Sequence, residues 1–277
     1  MILALLAAWA SPVDAPPALR VGTYDYPSYD RSAALTPLAL LVERASGRRA
    51  EIRLLATPEA LAKALCRGEI DMAMTNLGAF VETGSCPAVA PIAVLDTPAA
   101  VLDRYRGVLL VRSDTGIASL DTLGVRAGEL RYTEVLPGST SGALVQAAAL
   151  RGTGLAPTFA ARRHAGTHDG ALADLLAGRA DVAALAEGPW RKLQAENPTA
   201  AGTLRQIWRS DPLPPGPLVC RDQAPVPCAA IRRALLADDG AVAVALSKGW
   251  TETEGATRFE AYDSIRYAPF RADPPLP

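Results

Sequence analysis

The sequence has no excess of charge of either sign: 28 Lys and Arg residues face 29 Asp and Glu residues, a formal net charge of −1 at pH 7. A chain without surplus cations has little with which to displace counterions from nucleic-acid phosphates, so no nucleic-acid partner is expected. Global disorder is excluded because 49% of the residues are hydrophobic and only 21% are charged. Aromatic residues are scarce, at 5%, and the core is therefore expected to consist of small aliphatic side chains.

No hydrophobic run approaches the roughly 20 residues that cross a bilayer. The chain opens with the uncharged segment MILALLAAWA, which fits the apolar region of a secretory signal although the usual cationic leader is missing. A buried first strand or helix is the alternative, which Pro12, Pro16 and Pro17 disfavour because proline interrupts regular structure. We therefore predict a signal peptide over residues 1–15 and export from the cytoplasm.

Cysteine is also scarce. The four cysteines are Cys66, Cys86, Cys220 and Cys228. Four cysteines allow three connectivities, and the local one, which closes two short loops, suits an oxidising compartment. A zinc site is the alternative, but the spacings are not of the CxxC type and only His164 and His168 could contribute. The pattern favours the disulfides Cys66–Cys86 and Cys220–Cys228, and no metal site.

Motifs of the common enzyme classes are missing: the chain has no GxSxG, HExxH or Walker sequence. Ser139 or Ser141, with His168 and Asp169, would supply the residue types of a nucleophile triad. Adjacent His and Asp residues on one helical turn cannot readily align with a distant serine, however. We predict no enzymatic activity, no catalytic residue and no cofactor, and the absence of a coiled-coil repeat favours a monomer.

Strand and helix patterns alternate along the chain. Apolar segments predict strands over residues 19–22, 51–55, 70–74, 105–111, 130–136, 180–185 and 206–210. Periodic segments predict helices over residues 33–46, 57–66, 142–150, 167–177, 228–236 and 241–248. Thr57 and Pro58 are typical of a helix start, and Gly68 of the end that follows it. This alternation predicts an α/β fold whose mostly parallel sheets are flanked by helices.

Two segments repeat the same pattern: LCRGEIDMA at residues 65–73 and LAGRADVA at 176–183. They indicate two lobes of similar construction, with a ligand cleft between them at the carboxyl edges of the sheets. We place the first lobe at 19–107, the second at 108–210, the return to the first at 211–270, and a disordered tail at 271–277. Crossovers near 105–111 and 205–219 would form the hinge, and Asp71 and Asp181 are interpreted as structural strand-end residues.

A glycine and three hydroxyl residues, Gly138-Ser-Thr-Ser141, lie between a predicted strand and a predicted helix. The unpaired N–H groups of a helix start and the helix dipole favour an anion there, and the hydroxyls add donors. The alternative is plain N-capping by Ser139 or Thr140. Both interpretations fit the sequence.

Six passages resemble one protein family along nearly the whole chain. They are GEIDMA at 68–73, VLLVRSDTGIASLDTL at 108–123, PGSTSG at 137–142, GTHD at 166–169 with GRADVA at 178–183, IWRSDPLPPGPLV at 207–219 and FEAYDSIR at 259–266. The family is that of the periplasmic substrate-binding proteins of phosphonate, phosphite and phosphate ABC transporters. The resemblance implies the two-lobed periplasmic-binding-protein fold, a periplasmic location, and a small-molecule ligand. It also implies delivery of that ligand to a separate membrane permease and its ATPase.

The resemblance also implies site residues. Ser139, Thr140 and Ser141 would grip the phosphorus oxyanion, and His168 would donate to it. Asp169 would meet the other end of the ligand, where a carboxylate would suit an amine; capping of the next helix is its alternative role.

One departure from the family concerns the ligand. Thr75 stands where members that bind aminoalkyl phosphonates carry Tyr, followed by Asn76 and Phe80. Tyr24 and Tyr26 could supply contacts from the same lobe, with loop packing as the alternative. A roomier or less polar cleft around Thr75 and Phe80 would suit an apolar or amphipathic cargo, such as a lipid or sterol-like molecule. A ligand sensor that docks to a signalling receptor is a further alternative.

Overall fold

The computed structural model describes residues 16–154, 158–223 and 226–271. The predicted signal peptide at 1–15 lies outside these residues. So does the predicted tail from residue 272 onward; Arg271 is the last residue of a helix. None of the helices in the described part of the chain combines the length and apolarity needed to cross a bilayer.

The described residues form eleven strands in two sheets. In chain order the strands are β1 (Leu19–Tyr24), β2 (Ala50–Leu55), β3 (Met72–Met74), β4 (Val89–Leu95), β5 (Gly107–Arg112), β6 (Arg131–Glu134), β7 (Ala161–His164), β8 (Val182–Ala186), β9 (Leu204–Arg209), β10 (Leu218–Arg221) and β11 (Phe259–Glu260). The first sheet has the order β11-β4-β10-β3-β1-β2 and the second the order β7-β6-β8-β5-β9. We name the elements of the first sheet and their helices the first lobe, and those of the second sheet the second lobe.

Helices follow most of the strands. They are α1 (Arg31–Ser46), α2 (Pro58–Arg67), α3 (Leu77–Glu82), α4 (Ala99–Leu102), α5 (Leu120–Arg126), α6 (Val145–Gly152), α7 (His168–Leu176), α8 (Glu187–Glu196), α9 (Pro198–Ala201), α10 (Cys228–Leu236), α11 (Ala241–Ser247) and α12 (Ser264–Arg271). The predicted signals at the ends of α2 are confirmed. The Thr57 hydroxyl accepts from the Ala60 N–H, and Gly68 ends the helix with a φ of 73°. The two-lobed α/β fold is therefore as predicted.

The sheets are mixed, however, and the prediction that they are mostly parallel is wrong. In the first, β1 pairs parallel with β2 and β3, whereas β10 pairs antiparallel with β3 and β4, as does β11 with β4. In the second, β6 pairs parallel with β7 and β8, and β5 antiparallel with β8 and β9. β5 and β10 are the strands by which the chain enters each lobe from the other. Both begin at the edge of the sheet where the parallel strands end, and they are therefore antiparallel to those strands.

The repeated Asp-x-Ala segments occupy equivalent places in the two lobes. The Asp71 carboxylate, just before β3, accepts from the Arg20 N–H at 2.8 Å and from the Arg20 guanidinium at 2.7 Å. Asp181, just before β8, accepts from the same two groups of Arg131 at 2.9 and 2.7 Å. Each aspartate thus ties its strand to the start of the neighbouring parallel strand, which agrees with the structural role predicted for both.

Both disulfides follow the local pairing. Cys66 is bonded to Cys86 and Cys220 to Cys228, with Cα–Cα distances of 5.4 and 5.9 Å. The first joins the end of α2 to the segment before β4, and the second joins β10 to α10. Within the described residues no cluster of side chains could hold a metal ion.

The chain passes between the lobes at residues 96–106 and 210–217. The first of these crossing segments lies upstream of the predicted 105–111 strand, because β5 belongs wholly to the second sheet. The two segments run side by side: the Leu213 N–H donates to the Tyr105 carbonyl at 2.8 Å and the Ser210 N–H to the Gly107 carbonyl at 2.9 Å. This adjacency brings both crossings to one side of the cleft.

Candidate functional site

The space between the lobes is a cavity of about 820 Å³. Side chains of both lobes line it. From the first lobe and the crossing segments come Tyr24, Tyr26, Tyr29, Arg31, Asn76, Arg104, Tyr105, Glu252 and Glu254, and from the second Ser139, Thr140, Ser141, His168, Asp169, Arg191 and Lys192. Apolar side chains also line it: Pro58, Val101, Val135, Leu136, Ala186 and Pro189. Polar side chains outnumber the apolar ones, so the cavity suits a small polar molecule with an apolar part.

The hydroxyl segment forms the second-lobe wall. After Gly138, at a φ of 78°, residues Thr140–Leu144 form one π-helical turn that runs into α6. The Leu144 N–H donates to the Ser139 carbonyl at 3.0 Å. The backbone N–H groups of residues 140–142 have no backbone acceptor among the described residues. Ser139 does not cap the helix through its side chain. The alternative of plain N-capping is therefore not what this segment does, and three backbone donors lie beside three buried hydroxyls.

The carbonyl side of this turn is anchored by Gln146. Its Nε2 donates to the carbonyls of Ser141 at 2.8 Å and of Val108 at 3.1 Å, and the side chain is completely buried. A Cβ at Gly142 would lie 2.4 Å from Cγ2 of Val135, so only glycine fits there. These contacts fix the peptide planes of the turn, and with them the direction of its free N–H groups.

His168 opens α7 and lies against the same turn. Its Nδ1 accepts from the Ala186 N–H at 2.9 Å, and burial lowers the pKa of the imidazole to about 4. A neutral imidazole that accepts at Nδ1 carries its proton on Nε2, so His168 offers a hydrogen-bond donor without a charge. A catalytic triad needs the reverse, with Nδ1 donating to a carboxylate; the triad reading therefore has no support in this geometry.

Asp169 is exposed at the mouth of the cavity. It does not cap α7, because the Thr167 hydroxyl does so by accepting from the Gly170 N–H at 2.9 Å. Arg191 and Lys192 also line the cavity, and Arg191 is 3.1 Å from a Glu187 carboxylate oxygen. Asp169 thus lines the cavity without a capping role.

A buried cation in the first-lobe wall was not predicted from the sequence. Arg31 is 4% exposed, and its guanidinium carbon lies 4.0 Å from the ring centre of Tyr24 and 4.5 Å from that of Trp250. Its Nε donates to the Gly249 carbonyl at 3.0 Å. Burial raises the pKa of the nearby Glu252 carboxyl. The positive charge of Arg31 opposes this rise but is the smaller effect. Only its position in the sequence could have indicated a site residue: Arg31 begins the first helix after the carboxyl end of β1.

Tyr105 is a second residue that the sequence reasoning missed, because it treated this residue only as part of a crossover. It lines the cavity together with Ser141 and Thr140, and burial raises the pKa of its phenol well above the usual value. Tyr105 is therefore a neutral group next to the predicted oxyanion donors.

Two of the predicted contacts lie away from the cavity wall. Thr75 is fully buried, and its hydroxyl donates to the Pro217 carbonyl at 2.6 Å. Phe80 is 2% exposed and packs edge-on against Tyr262 and Tyr267, at 5.7 and 5.5 Å between ring centres. Thr75 secures the second crossing segment and Phe80 fills the core, so the predicted apolar cleft around them does not form. Tyr24, Tyr26 and Asn76 do line the cavity.

Comparison with known proteins agrees with this architecture. Residues 25–267 match the family of ABC-transporter phosphonate periplasmic substrate-binding proteins. The chain belongs to this family. Its members are substrate-binding components of transporters rather than enzymes, and the family implies a periplasmic location, a small-molecule ligand and an ABC permease with its ATPase. Among curated protein sequences none matches the chain significantly.

Solved structures share the fold at low sequence identity. A binding protein component of an ABC phosphonate transporter from Pseudomonas aeruginosa is 19% identical with a TM-score of 0.66, over 92% of this chain and 84% of that one. PhnD1 from Prochlorococcus marinus, in complex with methylphosphonate, is 17% identical with a TM-score of 0.63, over 90% and 94%. XAC2383 from Xanthomonas citri, bound to ATP, is 22% identical with a TM-score of 0.71, over 92% and 96%. The chain thus has the periplasmic-binding-protein fold.

Proposed function

We propose that the protein is exported to the periplasm and captures a small phosphorus oxyanion of the phosphonate, phosphite or phosphate type between its lobes. It then delivers this ligand to a membrane permease and its ATPase. The observation that carries the proposal is the turn of residues 139–143, where three backbone N–H groups without backbone acceptors among the described residues lie beside buried hydroxyls. Such a cradle of dipoles stabilises an oxyanion.

The electrostatics of the wall suit an anion that must later be released. The donors at the turn are dipoles, and His168 adds a neutral N–H. The full positive charge in the buried wall is Arg31, whose guanidinium is already held between aromatic rings. Hydrogen bonds from neutral donors to an ionised oxygen each contribute about 1.5–3 kcal/mol. Several of them give useful affinity without a direct ion pair.

The cavity is larger than a bare phosphate ion requires, which supports a ligand with an organic substituent. Tyr24, Tyr26 and Tyr29 line the first-lobe side, and Asp169 stands at the mouth. The alternative of an apolar, lipid or sterol-like cargo was based on Thr75 and Phe80 as wall residues. Both lie away from the wall, so this basis is lost.

Isothermal titration with methylphosphonate, phosphite and phosphate tests the proposal, with sulfate as the competing tetrahedral anion. We expect saturable binding of at least one phosphorus oxyanion, and loss of that binding when Ser139, Thr140 and Ser141 are all replaced by alanine. Native mass spectrometry of the protein purified from its own periplasm identifies the substituent and shows the processed N-terminus. Co-purification of a lipid, with no response to any of the three anions, would contradict the proposal.

A further inference from the structure

The turn that carries the oxyanion donors is hydrogen-bonded to the opposite lobe on its outer side. The Gly78 N–H, in the first turn of α3, donates to the Thr140 hydroxyl oxygen at 2.8 Å. The Asn76 amide nitrogen donates to the Gly138 carbonyl at 3.0 Å. The Glu59 N–H, at the start of α2, approaches the Pro137 carbonyl at 3.4 Å. Two helix starts of the first lobe therefore hold one turn of the second.

Glycine is required on both sides of this contact. A Cβ at Gly78 would lie 2.4 Å from the Gly138 carbonyl oxygen and 2.6 Å from Cδ1 of Leu144. A Cβ at Gly138 would lie 2.6 Å from the Glu59 nitrogen. Glycine within a helix is ordinarily less favourable than alanine. The close approach of the lobes accounts for its presence at position 78.

The Gly78 N–H and the Asn76 side-chain amide can both donate to the second lobe because neither is used within α3. The Gly78 N–H is one of the orphan donors of a helix start, which have no acceptor inside the helix. Asn76 caps α3 with Oδ1, which accepts from the Ala79 N–H at 2.8 Å, and so keeps Nδ2 for the Gly138 carbonyl. The side chain of Asn76 is 4% exposed, so water does not compete for this bond.

We propose that Asn76 and Gly78 are positioning residues, which hold the Gly138–Thr140 turn in its donor-presenting form when the lobes close. Because the Thr140 oxygen accepts from the Gly78 N–H, the Thr140 hydroxyl proton does not point at Gly78 and stays available to another acceptor. The site is then complete only when the lobes meet. What the turn binds rests on the proposed function above, whereas the contact between the lobes does not.

Amide hydrogen exchange, resolved by NMR, tests the contact with the ligand-free protein and again with methylphosphonate. The matched reference is Thr199, which occupies the same second position of α9 after an asparagine cap and has no acceptor among the described residues. We expect the Gly78 amide to exchange at least tenfold more slowly than the Thr199 amide after correction for sequence. Thr140→Val should abolish the difference while the Ala79 amide stays protected.

Equal exchange of the Gly78 and Thr199 amides in both states would overturn the proposal. If methylphosphonate does not bind, the proposed function loses support, but the comparison in its absence still decides whether the lobes are joined here.

Gly78→Ala tests the consequence for binding. The added methyl group separates the lobes, and the apparent affinity falls with the fraction of molecules that can close. We expect methylphosphonate to bind at least tenfold more weakly, with a larger radius of gyration by small-angle scattering under saturating ligand. Gly152→Ala, in α6 with open space around the new methyl group, is the control and should leave both unchanged. Unaltered affinity and size in Gly78→Ala would refute the positioning role.

Discussion

At the scale of single residues, the hydroxyl segment gives the most direct prediction. Ser141 is 2% exposed and lines the cavity. Ser141→Ala should weaken methylphosphonate binding by roughly 1–3 kcal/mol, the cost of one hydrogen bond to a charged group. Titration calorimetry measures the change. Ser32→Ala, at an exposed position of α1, is the control, and equal affinities in the two variants would remove Ser141 from the site.

His168 gives a prediction about pH. Burial lowers its pKa to about 4 in the folded protein, against about 6.5 in an unfolded chain. The folded state therefore favours the neutral imidazole. The stability that depends on a neutral His168 is fully present above pH 6.5, and it is lost as the pH falls toward 4. Between pH 7.5 and pH 4.5 we expect the free energy of unfolding of the wild type to fall more than that of His168→Gln, by on the order of 2 kcal/mol.

Urea unfolding of both proteins at the two pH values measures this difference. The carboxylates titrate in both proteins, so their effect cancels when the variant is subtracted from the wild type. Parallel pH dependence of the two proteins would show that His168 is not held neutral by the fold.

Residue types at strand–helix junctions could be predicted from the sequence, and residues brought in by tertiary structure could not. Ser139 and Ser141 follow a strand end within their own lobe, so local pattern was sufficient to place them at the cavity wall, whereas His168 was placed there by the family resemblance. Arg31 was missed because nothing local marks a cation that lies between Tyr24 and Trp250, more than 200 positions apart. Thr75 was misplaced because its partner, the Pro217 carbonyl, comes from the distant second crossing.

At the scale of elements, helix caps and glycine ends were predictable and strand direction was not. The Thr57–Pro58 start and the Gly68 end of α2 depend on neighbouring residues alone. By contrast, the direction of β10 depends on its entry from the other lobe, between β3 and β4. The four residues of β10, three of them apolar, carry no information about that neighbour, and regular strand–helix alternation suggested more parallel pairs than form.

The start of α3 offers a prediction at this scale. Asn76→Asp keeps an oxygen to cap α3 but replaces the donor to the Gly138 carbonyl with an acceptor. We expect about tenfold weaker methylphosphonate binding with little loss of helix stability, because aspartate and asparagine cap equally well. Asn197→Asp at α9, where the same capping bond to Ala200 has no partner across the cleft, should bind as the wild type does. Equal affinity in both variants would mean that the Asn76 donor does not act on the site.

At the scale of the whole molecule, the two lobes are joined by two crossing segments. Each has its own sheet, and hydrophobic clusters pack on both faces of each sheet. The two-lobed plan could be predicted because the segments at 65–73 and 176–183 repeat the same pattern. The cavity wall could not be predicted in the same way, since it exists only where residues of different lobes meet.

A ligand held by both walls must stabilise both lobes together. At a free concentration 100 times Kd, binding adds about 2.7 kcal/mol to the free energy of unfolding, which for a chain of this size raises Tm by roughly 5 °C. Scanning calorimetry with methylphosphonate should therefore show one transition that moves as a whole, or two transitions that both move upward. In the Ser139, Thr140 and Ser141 triple alanine variant the shift should disappear. If only the second lobe's transition moved, the ligand would be held by the hydroxyl turn alone, and the first-lobe wall of Tyr24, Tyr26 and Arg31 would have no part in binding.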